Sequence, residues 1–351
     1  MDGLKLENIS HRFGEKVVID HLDLTVEKGQ IVCLLGPSGC GKTTTLRIAA
    51  GLESLQSGNV FINGSLVGQP GREVPTENRQ IGLVFQDYAL FPHLTVSGNI
   101  EFGLHKLPLK EKQARIDSLL DRLDIARHRN SYPHVLSGGE QQRVALARAL
   151  VAEPSVMLMD EPFANLDVRL RDRVRDDTLR LLREEGSATL LVTHDPEEAM
   201  LMADKIAVMS EGRIIQFGSP EELFDAPQCR FVAEFFGDLN VLRGRASECT
   251  LVTSGLGELK VDKAKGFTDG TEVDVLVRPD SLHVGTNGSG IQGKLLSARP
   301  VGAFAVAEVE LLASGERIKA RFPRKTELKI GDQINIAVDP AQIFVFSAKI
   351  T

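Results

Sequence analysis

The sequence predicts an α/β amino-terminal part built on a parallel sheet and an all-β carboxyl-terminal part, and three observations carry that prediction. Apolar runs at Ile31–Leu35, Ile81–Phe85, Val156–Met159, Thr189–Val192 and Ile206–Met209 alternate with stretches of helical spacing. Strands of this kind are buried on both faces, as in parallel sheets covered by helices. The first run leads into Gly36-Pro37-Ser38-Gly39-Cys40-Gly41-Lys42-Thr43, a glycine-rich turn that opens a helix. After Gly237 the texture changes to short alternating strands divided by Gly, Asn and Asp turns, as in small β-barrels.

Composition bounds the possibilities. A length of 351 residues suits two domains, and 42% hydrophobic with 25% charged residues is ordinary for a globular protein. A formal net charge of −7 argues against nucleic acid or anionic lipid as the main partner. No apolar run reaches the roughly 18–20 residues that span a bilayer. The first ten residues carry Asp2, Lys5 and Glu7 and no signal-peptide core, so a cytoplasmic location is expected. Cys33, Cys40, Cys229 and Cys249 lack C-x-x-C spacing, which indicates neither a disulfide framework nor zinc.

Taken in order, residues 4–9 and 17–26 alternate apolar and polar positions, as half-exposed antiparallel strands do. Phe13, at the turn between them, could stack on an adenine face or fill an apolar gap. The run 31–35, the turn and the helix closed by Gly51 together form a P-loop, G-x-x-x-x-G-K-T between strand and helix. Its amides and the helix dipole suit a phosphate chain; Lys42 would reach the β- and γ-phosphates, and the Thr43 hydroxyl a Mg²⁺ ion. Residues 58–67 read as a hairpin turning at Asn63-Gly64.

Gln86 ends the next strand and could contact Mg²⁺ and an attacking water, or simply cap the strand. Tyr88, Leu90, Phe91, Pro92 and His93 form an apolar loop expected to be a docking surface. Residues 109–125 suit an amphipathic helix with Ile116, Leu119, Leu120 and Leu123 on one face, inside a charge-rich stretch from Lys106 to Arg129. Ser137-Gly138-Gly139-Glu140 opens another helix and makes a second candidate anion site. The apolar strand at 156–159 ends in two carboxylates: Asp160 is expected on Mg²⁺, and Glu161 as acceptor of a proton from water attacking the γ-phosphate. His194, at the end of another buried strand, is placed for the γ-phosphate. Residues 220–237 read as helical.

With these motifs in place, residues 1–236 resemble the nucleotide-binding subunit of an ABC transporter, a P-loop NTPase with a RecA-like core plus antiparallel β and helical subdomains (the latter about 90–155). Matched residue by residue, Phe13 takes the adenine-stacking position and Gly36 to Thr43, with Thr44, the Walker A loop. Gln86 matches the Q-loop glutamine, and Leu136-Ser137-Gly138-Gly139-Glu140 the signature. Asp160 matches the Walker B aspartate, Glu161 the catalytic glutamate, Asp167 the D-loop aspartate and His194 the switch histidine. Phe13 stands where tyrosine is common, and Ala164-Asn165 replaces the more usual Ser-Ala. The resemblance implies a head-to-tail homodimer in which each ATP lies between one Walker A loop and the partner's signature.

It further implies that the loop from Tyr88 to His93 receives a coupling helix from one of two membrane-spanning permease subunits, with an extracytoplasmic solute-binding protein in the same complex. The chain would then lie on the cytoplasmic face of the inner membrane. Residues 237–351, with Val277-Arg278-Pro279, resemble the OB-like tail of importers for sugars, polyamines, sulfate and ferric iron, and the ferric-iron branch most. A DNA-repair or chromosome ATPase would carry a long coiled-coil or zinc insertion between the two phosphate motifs, and none is present. A non-hydrolysing regulatory subunit would not need Glu161 and His194.

Overall fold

Alternating burial in the first stretch produces a long antiparallel ribbon, β1 (Asp2–Phe13) against β2 (Lys16–Glu27), with Leu6 opposite Leu24 and Leu4 opposite Val26. The computed structural model describes residues 2–104, 108–247, 251–260, 267–285, 290–326 and 328–348. Cys249 and the start of the charge-rich stretch at Lys106 lie outside them. The chain divides into two units, residues 1–220 and 221–351.

In the first unit, β3 (Ile31–Leu35) is buried at every position and precedes α1 (Lys42–Ala50). Next come β4 (Ser57–Ile62), β5 (Ser65–Gln69) and β6 (Arg72–Glu73), which join the ribbon in a sheet of order β2-β1-β4-β5-β6. Asn63 and Gly64 have φ of 48° and 75° and make the expected hairpin turn. Then follow β7 (Ile81–Val84), α2 (Val96–Glu101), α3 (Leu109–Arg122) and α4 (Gly138–Leu150). The amphipathic α3 ends at Arg122, short of the expected residue 125, yet Leu123 is still buried with Ile116, Leu119 and Leu120. The unit closes with β8 (Val156–Asp160), α5 (Val168–Glu185), β9 (Ala188–Thr193), α6 (Pro196–Met202), β10 (Lys205–Ser210) and β11 (Arg213–Gly218).

The second sheet runs β11-β10-β3-β9-β8-β7, and only β11 is antiparallel to its neighbour. Leu35 pairs with Thr193 and Asp160 with Val192, so the turns after β3, β8 and β9 all leave the same sheet edge. Ligands of open parallel sheets bind outside the carboxyl ends of the strands. Register alone therefore gathers the P-loop, the carboxylate pair and His194.

The second unit begins with α7 (Pro220–Asp225) and α8 (Arg230–Phe235). The single helix expected over 220–237 is thus two. Pro227 disfavours helical geometry at Ala226, and the chain breaks there. These helices, which the division at 236/237 assigns to the first domain, pack within the second unit. Ala233 joins Leu276 and Phe344 in a buried cluster, and Arg230 pairs with the fully buried Asp274 at 2.6 Å.

Beyond them lie β12 (Asn240–Ser247), β13 (Leu251–Ser254), β14 (Gly257–Lys260), β15 (Glu272–Val277), β16 (Leu282–Val284), β17 (Ile291–Val301), β18 (Phe304–Leu311), β19 (Arg317–Pro323), β20 (Gln333–Val338) and β21 (Ile343–Ser347). They form two antiparallel sheets, ordered β14-β13-β12-β15-β21 and β16-β20-β17-β18-β19. A core that includes Val275, Leu295, Val309, Phe322 and Ile336 is drawn from both of these sheets. Among the described residues no helix is long and apolar enough to cross a membrane.

Candidate functional site

Space dictates two glycines of the 36–43 turn, Gly36 and Gly41, while Gly39 meets no neighbour and is set by its φ of 82°. Gly41, at φ 112°, caps α1, and a Cβ there would lie 2.5 Å from the carbonyl oxygen of Val18. No side chain caps the helix, so its first amides are open to an anion. The buried Lys42 folds its Nζ onto the carbonyl oxygens of Gly36 at 2.8 Å and Pro37 at 3.0 Å. The ammonium is thus held over the turn by weak acceptors that a phosphate would outcompete. Pro37, Ser38 and Gly39 are exposed at the rim, Cys40 is buried, and Thr44 is half-buried one residue past Thr43.

Across the sheet edge the Thr43 hydroxyl donates to Asp160 Oδ1 at 3.0 Å. Burial, the dominant cause, raises the Asp160 pKa above the usual carboxylate value. The two hard oxygens are a donor set suited to a small divalent cation, which would favour the charged carboxylate. Glu161 follows with φ 43°, a conformation uncommon outside glycine, while its amide donates to the Val192 carbonyl at 2.9 Å. That turn aims its carboxylate at His194, whose Nδ1 lies 3.1 Å from Glu161 Oε2. Strain of this sort gathers at functional sites.

Behind His194, Thr193 Oγ1 donates to Oε2 of the buried Glu198 at 2.9 Å and accepts from the Asp195 amide at 3.1 Å. Glu198 reads in sequence as one more acid in a helical first turn. Only its burial separates it from Glu197.

Gln86 has an exposed side chain, and its carbonyl accepts from Asn165 Nδ2 at 2.8 Å. The loop beyond corrects one expectation: Tyr88 is not on the exposed surface but only 5% accessible. Positive φ at Tyr88 (62°) and Ala89 (43°) turns its ring inward, and burial raises its phenol pKa. Leu90 and Phe91 are half-buried, whereas Pro92 and His93 are exposed.

Two residues that sequence reasoning missed hold this segment. Arg148 on α4 donates to the carbonyls of Ala89 at 2.7 Å and Tyr88 at 2.8 Å. Asn99, fully buried on α2, accepts from the Phe91 amide at 2.8 Å and donates to the carbonyls of Phe91, Leu94 and Thr95. Arg148→Ala is expected to lower stability by about 2 kcal/mol, since two charge-assisted bonds to backbone disappear. Urea unfolding measures that loss, and hydrogen exchange at residues 88–91 should quicken with it.

Ser137 caps α4, of which Gly138 and Gly139 are the first residues, in a capping box with Glu140. Glu140 Oε2 accepts from the Ser137 amide at 2.9 Å and hydroxyl at 2.8 Å, while Oε1 meets Arg127 and His128, both at 2.8 Å. The Ser137 amide bond, with Arg127 assisting, holds the Glu140 carboxyl down at about 2. The hydrogen bonds of Ser137 and Glu140 thus go to one another and to Arg127 and His128, not to the 36–43 turn. Asp167 caps α5 by accepting from the Leu170 amide at 3.0 Å.

Phe13 is 51% exposed at the end of β1, with the ring of His11 edge-on at 4.7 Å. The carboxamide of Gln56 brackets the adjacent backbone, accepting from Arg12 N at 2.9 Å and donating to Arg12 O at 3.0 Å. An open aromatic face on a pinned turn suits a planar ring.

Known proteins resemble this chain. The ABC transporter family model matches residues 19–164, and the TOBE domain model matches residues 275–346. The Fe(3+) ions import ATP-binding protein FbpC of Photobacterium profundum is 42% identical, over 97% of this chain and 96% of its own. FbpC of Agrobacterium fabrum is 43% identical over 87% and 86%. The spermidine/putrescine import ATP-binding protein PotA of Rubrobacter xylanophilus is 37% identical over 99% and 94%. Among solved structures, cbiO1 from Clostridium perfringens, part of the ABC transporter complex cbiONQ, superposes with a TM-score of 0.59. It is 30% identical and covers 64% of this chain and 91% of its own.

Proposed function

We propose that this chain, which belongs to the ABC transporter ATP-binding family, hydrolyses ATP with Mg²⁺ to energise the import of ferric iron. The observation that supports the chemistry most is the meeting of Thr43, Asp160, Glu161 and His194 at one sheet edge, beside the turn that holds Lys42. In this reading the open amides of the turn and Lys42 bind the phosphates, and Phe13 stacks on the adenine. Thr43 and Asp160, with Gln86, would hold a Mg²⁺ ion, which would supply positive charge to neutralise the phosphates. Glu161 accepts the proton of the attacking water, and His194 steadies both Glu161 and the γ-phosphate. Ser137, Gly138, Gly139 and Glu140, with Asp167, serve the nucleotide of a second copy, which accounts for a phosphate motif that does not reach its own P-loop.

The partners follow from the same reading: a homodimer on the inner face of the membrane, two permease subunits that dock on Leu90 to His93, and a solute-binding protein outside. Relatives named for Fe(3+) import reach 42–43% identity, against 37% and 39% for two named for polyamines. That order supports iron, and polyamine is the second reading because the PotA relative aligns over 99% of this chain. Uptake of labelled ferric iron and of putrescine in cells lacking the gene decides between them. Selective loss of iron uptake, restored by the wild-type gene, is expected. Loss of putrescine uptake alone would replace iron with polyamine.

A further inference from the structure

The turn after β8 carries Asn165 where the family resemblance makes alanine the more usual residue, and the structure uses the group that alanine lacks. Asn165 Nδ2 donates to the carbonyl oxygen of Gln86 at 2.8 Å. β7 and β8 are parallel neighbours, with Val84 opposite Met159, so the two turns leave the sheet side by side. The Asn165 turn is tied to Glu161 at one end, because the Ala164 amide donates to the Glu161 carbonyl at 3.2 Å. Its middle is anchored by Phe163, which is fully buried. On its other side lies Gly138: a Cβ built there would sit 3.8 Å from the Asn165 carbonyl oxygen.

We propose that Asn165 is a positioning residue that fixes the backbone of Gln86 in register with the Glu161 turn, and so sets the rate of hydrolysis rather than the affinity for ATP. The proposal rests on the ATPase reading given above. Asn165 is exposed and spends one hydrogen bond on this contact, too little to hold the fold but enough to fix a backbone carbonyl. Serine or alanine at this position would leave the two turns side by side with nothing joining them through the carboxamide.

The experiment measures ATP hydrolysis, ATP affinity and the melting temperature of the full chain for the wild type, Asn165→Ala and Asn165→Asp. Asn165→Ala is expected to lower kcat about fivefold. Asn165→Asp keeps the shape but turns an anion toward the carbonyl, and should lower kcat at least as far. Affinity should stay within roughly twofold and the melting temperature within about 2 °C in both, as for surface substitutions. Wild-type hydrolysis that Lys42→Ala abolishes shows that this chain is the ATPase. If Lys42→Ala hydrolyses as fast as the wild type, that reading fails and the proposal with it. With the control passed, an unchanged kcat in both variants overturns the proposal alone. A fall of kcat together with affinity or melting temperature also overturns it, since Asn165 would then be a structural residue.

Discussion

Glu161→Gln is expected to reduce ATP hydrolysis by about 10²–10³-fold while ATP stays bound, the size of loss that follows removal of a positioned general base. The neighbouring carboxylate cannot substitute: Asp160 is engaged by the Thr43 hydroxyl at 3.0 Å, on the side where the cation is proposed. Glu161 points the other way, to His194 at 3.1 Å, from a backbone held at φ 43°. Glutamine keeps the length and can still bond to His194, but it cannot take a proton from water. It also removes a negative charge from a site that must accept a polyanion, which favours retention of the nucleotide. Light scattering on the Glu161→Gln chain with ATP and Mg²⁺ should therefore show the proposed dimer persisting longer than with the wild type. A hydrolysis rate equal to that of the wild type would remove Glu161 from the mechanism.

The same edge shows why some of the site was legible in sequence. The P-loop can be read because its glycine pattern is local, with Gly39 and Gly41 both at positive φ in one short turn. The buried strands are equally plain, since five consecutive apolar residues in β3 and four in β8 leave little else to form. What sequence could not give were contacts made across the fold by ordinary-looking polar residues. Arg148 looks like a charge near the end of an amphipathic helix, yet it clasps carbonyls 59 and 60 residues away. Asn99 looks like a weak helix former, and its side chain closes the 91–95 turn. The apolar run at 88–93 suggests one exposed loop, yet Tyr88 within it is buried. The left-handed backbone at two of its residues sends one ring inward, and no local pattern announces that. In the second unit, the strand at 240–247 alternates buried and exposed positions, although Arg243 and Arg245 on its open face give it a polar look.

Glu198 supplies the largest expected effect on stability, and its sign depends on pH. Burial pushes its carboxyl up from the ordinary 4.5 to about 7, and the charge of Asp195 adds to the rise; the Thr193 hydroxyl, Arg171 and His194 oppose it. Cys33 also lies within its field. Because the folded pKa lies above the unfolded one, the native state binds more protons between pH 4.5 and 7. Stability therefore falls as pH rises through that window and is lowest above it. A shift of this size corresponds to about 3 kcal/mol. Glutamine carries no titrating proton and its carbonyl can still accept from Thr193. Glu198→Gln is thus expected to match the wild type below about pH 5 and to be more stable by about 3 kcal/mol at pH 8. In thermal unfolding this is a rise of about 8 °C at the higher pH. Parallel melting profiles for the two chains from pH 5 to 8 would mean that Glu198 is already ionised in the native protein, its charge carried by Arg171 and the Thr193 hydroxyl.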